Sequence, residues 1–318
     1  MKRSLTFFFL VFSLHSHAVA QQHKQEPAQK DGASLRRAQP KTLSVPEVHD
    51  VARRVSVLIA ERNDQVPGGT RHVGSGVWLA EGFVATCWHV VKDLKGPIKI
   101  SLGAGDVVTS GGAVFEGIYM DYAATVVASD PDADIAILKT TENPFKSGRT
   151  LIKTPTQDVK PMMSVARMSE RTPVAGTLTV VSGYPMAGLD LVSQTGNVAG
   201  TGLVPFNLSG NSASAIKSVR ILVSVVSNPG NSGGPVLNDQ GQLIGVLEGN
   251  WTSPVKDETG TQAVYLRPKK DAQGNLLKDA NGNFQGVEAA GMAQNSGISL
   301  VVPTHLIAPL LKQAQARN

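Results

Sequence analysis

The sequence predicts an all-β fold of antiparallel barrels followed by a C-terminal helix, and three observations carry that expectation. Short runs rich in Val, Ile, Leu and Thr alternate with Gly, Pro, Asn and Asp, as in Arg54 to Ala60, Gly76 to Leu79, Ile98 to Leu102, Ala124 to Ala128 and Thr177 to Val181. This punctuation suits antiparallel barrels better than alternating β and α units. The 318 residues, 41% of them hydrophobic, can bury one large body, since all-β folds of about 250 residues are common as single units. Thr304 to Leu311 carries an amphipathic helical pattern.

At the amino terminus, Lys2 and Arg3 precede the apolar run Leu5 to Leu14, and Ala18-Val19-Ala20 follows. This is the pattern of a secretory signal peptide covering residues 1–20, and its apolar core is short for a bilayer span. The mature chain is therefore expected in a bacterial periplasm or outside the cell, with no stable membrane anchor after cleavage. Residues 21–48 are polar, interrupted by Pro27, Pro40 and Pro46, and read as a flexible leader. The rest, residues 49–318, is expected to be the folded domain. Loss of Lys2 and Arg3 lowers the formal charge of +5 by two, which leaves too little and too dispersed a charge for nucleic-acid binding. The single cysteine, Cys87, cannot form an intramolecular disulfide and reads as a small buried hydrophobe.

The run Asn228-Pro229-Gly230-Asn231-Ser232-Gly233-Gly234-Pro235 sets one serine in a turn of mostly bare backbone. Glycines let amide N–H groups converge beside the hydroxyl, where an oxyanion could be held. The same residues also make ordinary surface turns, so partners must decide. A serine needs a base, usually a histidine oriented by a carboxylate.

Of seven histidines, His15 and His17 fall in the targeting segment, while His23 and His49 lie in the Pro-interrupted polar stretch without a packed element. His72 sits in a Gly- and charge-rich loop and is expected to be solvated. His305 belongs to the C-terminal helix. His89 ends the strand-like Gly82 to Cys87 and opens a helical turn, Trp88-His89-Val90-Val91. It is either a satisfied core histidine or a base. In Asp130-Pro131-Asp132-Ala133-Asp134, the first two aspartates read as turn formers. Asp134 precedes the apolar strand Ile135 to Leu138 and is drawn inward, as a strand-start cap or as a buried partner needing hydrogen bonds.

The order His89, Asp134, Ser232 resembles that of chymotrypsin-fold serine proteases, and more narrowly their HtrA/Deg branch. The matching stretches are Gly74-Ser75-Gly76-Val77, Thr86 to Val91, Asp134 to Lys139, Gly183-Tyr184-Pro185, Asn228 to Leu237 and Gly297 to Pro303. The resemblance covers roughly residues 50 to 312 and implies two six-stranded Greek-key barrels with a C-terminal helix. It also implies a serine endopeptidase of polypeptide substrates, without cofactor or metal. Ser232 would be the nucleophile, His89 the general base, and Asp134 its orienting partner. The N–H groups of Gly230 and Ser232 would form the oxyanion hole. In this family, loops can switch that hole, so a full triad does not make the resting enzyme active. Val226 falls at the floor of the specificity pocket, which points to small or aliphatic residues before the scissile bond. Its competing role is a core position in a strand Arg220 to Val226.

Gly-x-Ser-x-Gly also fits α/β-hydrolases, but these need a helix after the serine and the acid and histidine downstream. Gly233-Gly234-Pro235 starts a helix poorly, and Val236 to Leu247 reads as a hairpin. The other functional class is a catalytically quiet protease-fold protein that binds polypeptides, whose mark would be a lost triad residue.

Two departures from the family stand out. After Leu311 there is no room for the PDZ domain of many relatives, and an insertion spans about residues 250–296. Residues 271–275 and 279–283 resemble calcium-loop fragments, but position 284 is Phe and position 290 is Ala, so tight turns are the better reading. The insertion is expected to border the substrate cleft. Relatives trimerise through aromatic residues in an N-terminal segment; residues 21–48 contain none, which leaves the oligomeric state open.

Overall fold

The computed structural model describes residues 41–317, except 66–68, 104–106, 109–113, 116–118, 150–151, 154–157, 160–161, 188–189, 204–218, 254–263, 270, 272–274, 281, 283–284 and 291–293. The expected signal peptide and all but the end of the leader lie outside the described residues.

Twelve strands build two barrels. The first contains β1 (Ser56–Arg62), β2 (Thr70–Ala80), β3 (Phe83–Thr86), β4 (Ile98–Gly103), β5 (Tyr119–Asp130) and β6 (Ile135–Thr140). The second contains β7 (Leu178–Gly183), β8 (Val192–Leu203), β9 (Val219–Val223), β10 (Pro235–Asn238), β11 (Leu243–Ser253) and β12 (Gln294–Pro303). Each closes antiparallel in the same order, β1-β2-β3-β6-β5-β4 and β7-β8-β9-β12-β11-β10. Closure leaves neither sheet with a free edge. The expected all-β, two-barrel class is what the chain adopts.

The first barrel is filled by Val57, Ile59, Trp78, Ile100, Leu102, Tyr122, Ile135 and Ile137, with Phe145 edge-on to Trp78 at 5.4 Å. The second holds a smaller core of Val181, Val198, Ile221, Val223, Val236, Ile244 and Val301. Helices α1 (Val45–Val55) and α3 (Thr304–Ala316) cover apolar surface that joins the first core to Val180, Leu237, Leu243, Val246 and Val302 of the second barrel. The buried Val48, Ala52 and Val55 recur at helical spacing along α1, and Ile307, Leu311 and Ala314 do so along α3.

The structure corrects several expectations. Helix α1 begins at Val45 inside the segment read as leader, because Ser44 and Glu47 form a capping box: the Glu47 carboxylate accepts the Ser44 N–H at 2.7 Å. Arg54 is still helical, so the first strand starts at Ser56. His49 therefore stands on a packed helix, with Nε2 3.3 Å from Thr195 Oγ1. His72 lies in strand β2, opposite Ala60, and is half-buried.

Within the expected insertion, β11 runs on to Ser253, and Val264–Pro268 pairs antiparallel with Gly286–Ala290. Asp271 and Asn275 close one turn, with the Asp271 N–H donating to the Asn275 carbonyl at 2.9 Å. The Gly282 N–H closes another onto the Asp279 carbonyl at 3.0 Å. Both contacts link described residues of the two stretches read as tight turns, 271–275 and 279–283, whose residues 272–274, 281 and 283 lie outside the described residues.

Candidate active site

His89, Asp134 and Ser232 come from three separate segments that meet where the barrels abut. Helix α2 (Trp88–Val91) is a single turn that follows β3 and lifts His89 off the barrel. Its first N–H, on Trp88, donates to the Asp134 carbonyl at 3.2 Å. Asp130 shapes the preceding turn by accepting the N–H groups of Asp132 and Ala133, both at 3.1 Å. Asp134 then takes a left-handed conformation with φ +54°, one that Asp tolerates better than most residues with a Cβ. That turn aims its carboxylate back at α2. Oδ1 accepts the His89 backbone N–H at 2.8 Å, and Oδ2 accepts Nδ1–H at 2.7 Å. Asp134 is 4% exposed and His89 27%, so one partner is sheltered while the other reaches the surface.

Ser232 is brought to the same place by the neighbours of its turn. The Ser75 N–H donates to the Ser232 carbonyl at 2.8 Å, and the Gly233 N–H donates to the Leu247 carbonyl at 2.8 Å. Cys87 Sγ, two residues before His89, donates to that same Leu247 carbonyl at 3.2 Å. One carbonyl of the second barrel thus anchors both the serine turn and the approach to His89. Gly233 has φ +90°, and a Cβ there would fall 2.0 Å from the Ser75 carbonyl oxygen, so only glycine allows this approach.

The Gly230 turn is equally constrained. Ser75 Oγ donates to the Gly230 carbonyl at 2.7 Å and accepts the Tyr184 N–H at 2.9 Å. The Pro229 carbonyl accepts the Met186 N–H at 2.6 Å. Because a trans peptide carries its C=O and N–H on opposite edges, the Gly230 N–H points away from Met186. Among the described residues, the N–H groups of Gly230 and Ser232 have no protein acceptor. A cleft of about 240 Å³ lies alongside, lined by His72, Val73, Gly74, Tyr184, Met186, Pro229 and Gly230.

The Ser232 hydroxyl donates to the Glu248 carbonyl at 3.0 Å. No hydrogen bond joins it to His89 among the described residues.

A family model described as a trypsin-like peptidase domain matches residues 74–246. The chain belongs to this family. The match begins in β2 and ends in β11, and so contains all three segments that carry His89, Asp134 and Ser232.

Among similar proteins is the chloroplastic Protease Do-like 8 of Arabidopsis thaliana, 28% identical over 212 residues, covering 64% of this chain and 40% of the relative. Another is the Serine protease Do-like HtrA of Lactococcus lactis, 25% identical over 250 residues, covering 73% of this chain and 52% of the relative. The chain spans about half or less of the length of these relatives. The solved protease Rv3671c in its inactive form shares the fold at 15% identity, with a TM-score of 0.50, covering 86% of this chain and 98% of that one.

Within this trypsin-like peptidase domain, Val226 departs from the strand expected to contain it. Strand β9 ends at Val223, where the Val225 N–H turns back onto the Val223 carbonyl at 2.9 Å. Val225 and Ser227 are buried while Val226 is 46% exposed, so its core-strand role is excluded. Asn250 secures that geometry: its Oδ1 accepts both the N–H and the hydroxyl of Ser227 at 2.8 Å.

Sequence reasoning missed the roles of Ser75 and Asn250, whose side chains hold backbone groups of the Gly230 and Ser227 turns, and of Met186, which acts through its N–H; none carries a distinctive pattern. It also missed Arg220 and Glu248, an ion pair whose side chains are both 0% exposed. A signal for these existed, since each is a charge set within a run of Val, Ile and Leu.

Cys87 is buried as expected. Burial, then the nearby charges of Asp134 and Glu248, push its thiol well above the ordinary range, so it is not a poised thiolate. Its proximity to His89 and Asp134 also brings three potential metal-ligand atoms within 4.8 Å of one another. The protonated thiol and the Asp134 carboxylate already bonded to His89 make this a poor metal site.

Proposed function

We propose that this chain is a serine endopeptidase in which Ser232 is the nucleophile, His89 the general base and acid, and Asp134 the group that orients His89. The two-point hold of Asp134 on His89 carries the reading. With Nδ1–H committed to Asp134, the Nε2 lone pair is left to take a proton. Ser232 Oγ attacks the peptide carbonyl as His89 takes its proton, and the oxyanion is received by the free N–H groups of Gly230 and Ser232. His89 then protonates the departing amine. Water, activated by the same histidine, hydrolyses the acyl-enzyme and restores Ser232.

In the resting arrangement, the hydroxyl must rotate from the Glu248 carbonyl toward His89, a change between staggered rotamers. Catalytic hydrogen bonds often tighten only when substrate binds. That resting contact also favours the second reading, a quiet polypeptide-binding protein of the same fold. Labelling by a serine-directed fluorophosphonate separates the two: the proposal expects labelling that Ser232→Ala abolishes. Unlabelled, folded protein that still binds polypeptides supports the quiet form, and labelling insensitive to the substitution rejects Ser232.

Val226, exposed beside the segment held by Asn250, forms the apolar floor of a pocket for small or aliphatic residues. The signal-like residues 1–20 and the likeness to a Chlamydia pneumoniae protein named as a periplasmic endoprotease support a periplasmic or secreted site of action. Among the described residues, no helix is long and apolar enough to cross a membrane. The unit that begins with the capped helix α1 at Ser44 and runs to the C-terminal helix acts as the protease, with the 250–296 segment bordering the cleft; a folded deletion of 255–290 with unchanged peptide preference would reject that placement.

A further inference from the structure

Arg220 and Glu248 are buried charges that the proposed chemistry does not use, and they touch both sides of the site. Arg220 lies in β9 of the second barrel. Its Nε donates to Glu248 Oε2 at 2.5 Å, and one terminal nitrogen reaches Glu248 Oε1 at 3.5 Å. The same terminal nitrogen donates to the Ala133 carbonyl at 3.0 Å. That carbonyl belongs to the peptide joining Ala133 to Asp134, the residue with φ +54°. The Glu248 backbone carbonyl, in turn, accepts the Ser232 hydroxyl.

We propose that Arg220 and Glu248 are a positioning pair, in which a guanidinium clamped by Glu248 crosses between the barrels to hold the Asp134 turn, and with it the His89 ring, in register with Ser232. The claim rests on the triad reading above and extends it.

Three physical features support this role. Asp134 adopts its left-handed turn at little cost, but the direction of its carboxylate follows the Ala133–Asp134 peptide, and Arg220 supplies a charge-assisted hydrogen bond at that peptide's carbonyl. The guanidinium's fixed fork lets one group satisfy a carboxylate and a carbonyl together, which a lysine ammonium reproduces poorly. A buried ion pair is weak evidence for stability, because apolar residues of similar volume often serve as well. The place of this one beside the site, with the guanidinium bonded to the Ala133 carbonyl, points to another role. The charges facing Glu248 are Arg220, Asp134 and His89; burial and then the Asp134 charge raise its carboxyl, while Arg220 and His89 oppose the rise. Glu248 thus needs Arg220 to remain a clamp.

The test compares wild type with Arg220→Met/Glu248→Leu, which removes both charges and leaves neither unpaired. The first readout is the downfield proton resonance of His89 Nδ1–H, the signature of its bond to Asp134, measured by NMR whether or not the protein turns over. The second is the division of peptide hydrolysis between kcat and KM. The expected result is folded protein with the resonance lost or broadened and kcat reduced about 100-fold, the cost of a small misplacement of reacting groups, with KM within about twofold. A folded double variant that keeps the resonance and wild-type kcat overturns the proposal and leaves the pair purely structural.

Should the double variant fail to fold, Arg220→Lys decides. Loss of the resonance with little change in Tm supports positioning, and an unchanged resonance overturns it. The triad reading fails separately, through a wild-type Ser232 that fluorophosphonate does not label.

Discussion

Asp134 grips His89 at two points, its Oδ1 on the backbone N–H at 2.8 Å and its Oδ2 on Nδ1–H at 2.7 Å. The first contact fixes where α2 starts and the second fixes the ring, so one side chain sets both position and tautomer. Asn retains the tolerance for φ +54° but can offer only one oxygen. Asp134→Asn is expected to fold with a Tm within a few degrees of wild type while kcat falls about 10⁴-fold, the scale seen when such an orienting carboxylate is neutralised. Peptide hydrolysis and thermal unfolding measured together check this.

Gly230 tests the oxyanion reading. At φ +100°, a Cβ would lie 2.3 Å from the Tyr184 carbonyl oxygen, so Gly230→Ala must move the turn and its N–H. Removing one such donor lowers kcat by about 10²- to 10³-fold in related chemistry. Steady-state kinetics should show that fall with KM little changed; a kcat within threefold of wild type would remove Gly230 N–H from the mechanism.

Val226 can be probed by a change of charge. Val226→Asp places a carboxylate at an exposed position beside the proposed pocket, and cleavage should shift from small or aliphatic residues toward Lys or Arg before the scissile bond. Mass-spectrometric profiling of a peptide library reads the shift directly, and an unchanged profile means that Val226 does not face the substrate.

Glu61, at a distance from the site, is expected to contribute to stability in a pH-dependent way. Its Oε1 accepts the N–H groups of Lys95 and Gly96 at 2.6 and 2.7 Å, and Oε2 accepts from Arg71 at 2.6 Å. The Gly96 bond first, and then Arg71, lower its carboxyl from 4.5 to about 2. A depressed carboxylate contributes stability above its unfolded value, and that contribution is lost as pH falls from about 4.5 toward 2. Glu61→Gln should therefore lower stability by about 2 kcal/mol at pH 7, with the gap to wild type closing below about pH 3. Circular-dichroism unfolding across pH gives the test; a gap independent of pH would assign the loss to packing.

Much of the fold was legible because barrel strands are local patterns. The runs at Gly76 to Leu79, Ile98 to Leu102 and Ala124 to Ala128 all lie within strands, and Val236 to Leu247 forms the expected hairpin. Boundaries failed where a cap or a turn outweighed composition. Ser44 and Glu47 started a helix in what read as leader, and the turn at Val223 to Val225 ended a strand that apolar content would have continued.

His89, Asp134 and Ser232 could be nominated from sequence because each sits in a short segment whose local chemistry is unusual: a histidine at a strand-to-helix step, an aspartate entering an apolar strand, and a serine among glycines. Their assembly could not be read that way. Asp134 reaches His89 through a left-handed turn, the Leu247 carbonyl receives both Cys87 and Gly233, and Arg220 carries a charge from the second barrel to the first. Residues far apart in the chain make each of these contacts, and the directions of backbone carbonyls select them. The sequence by itself determined the strand content, the order of the three site residues and the glycines that permit the serine turn. Only tertiary structure decided which carbonyl holds the Ser232 hydroxyl at rest and which buried charges brace the site, because both depend on the register in which the two closed barrels meet.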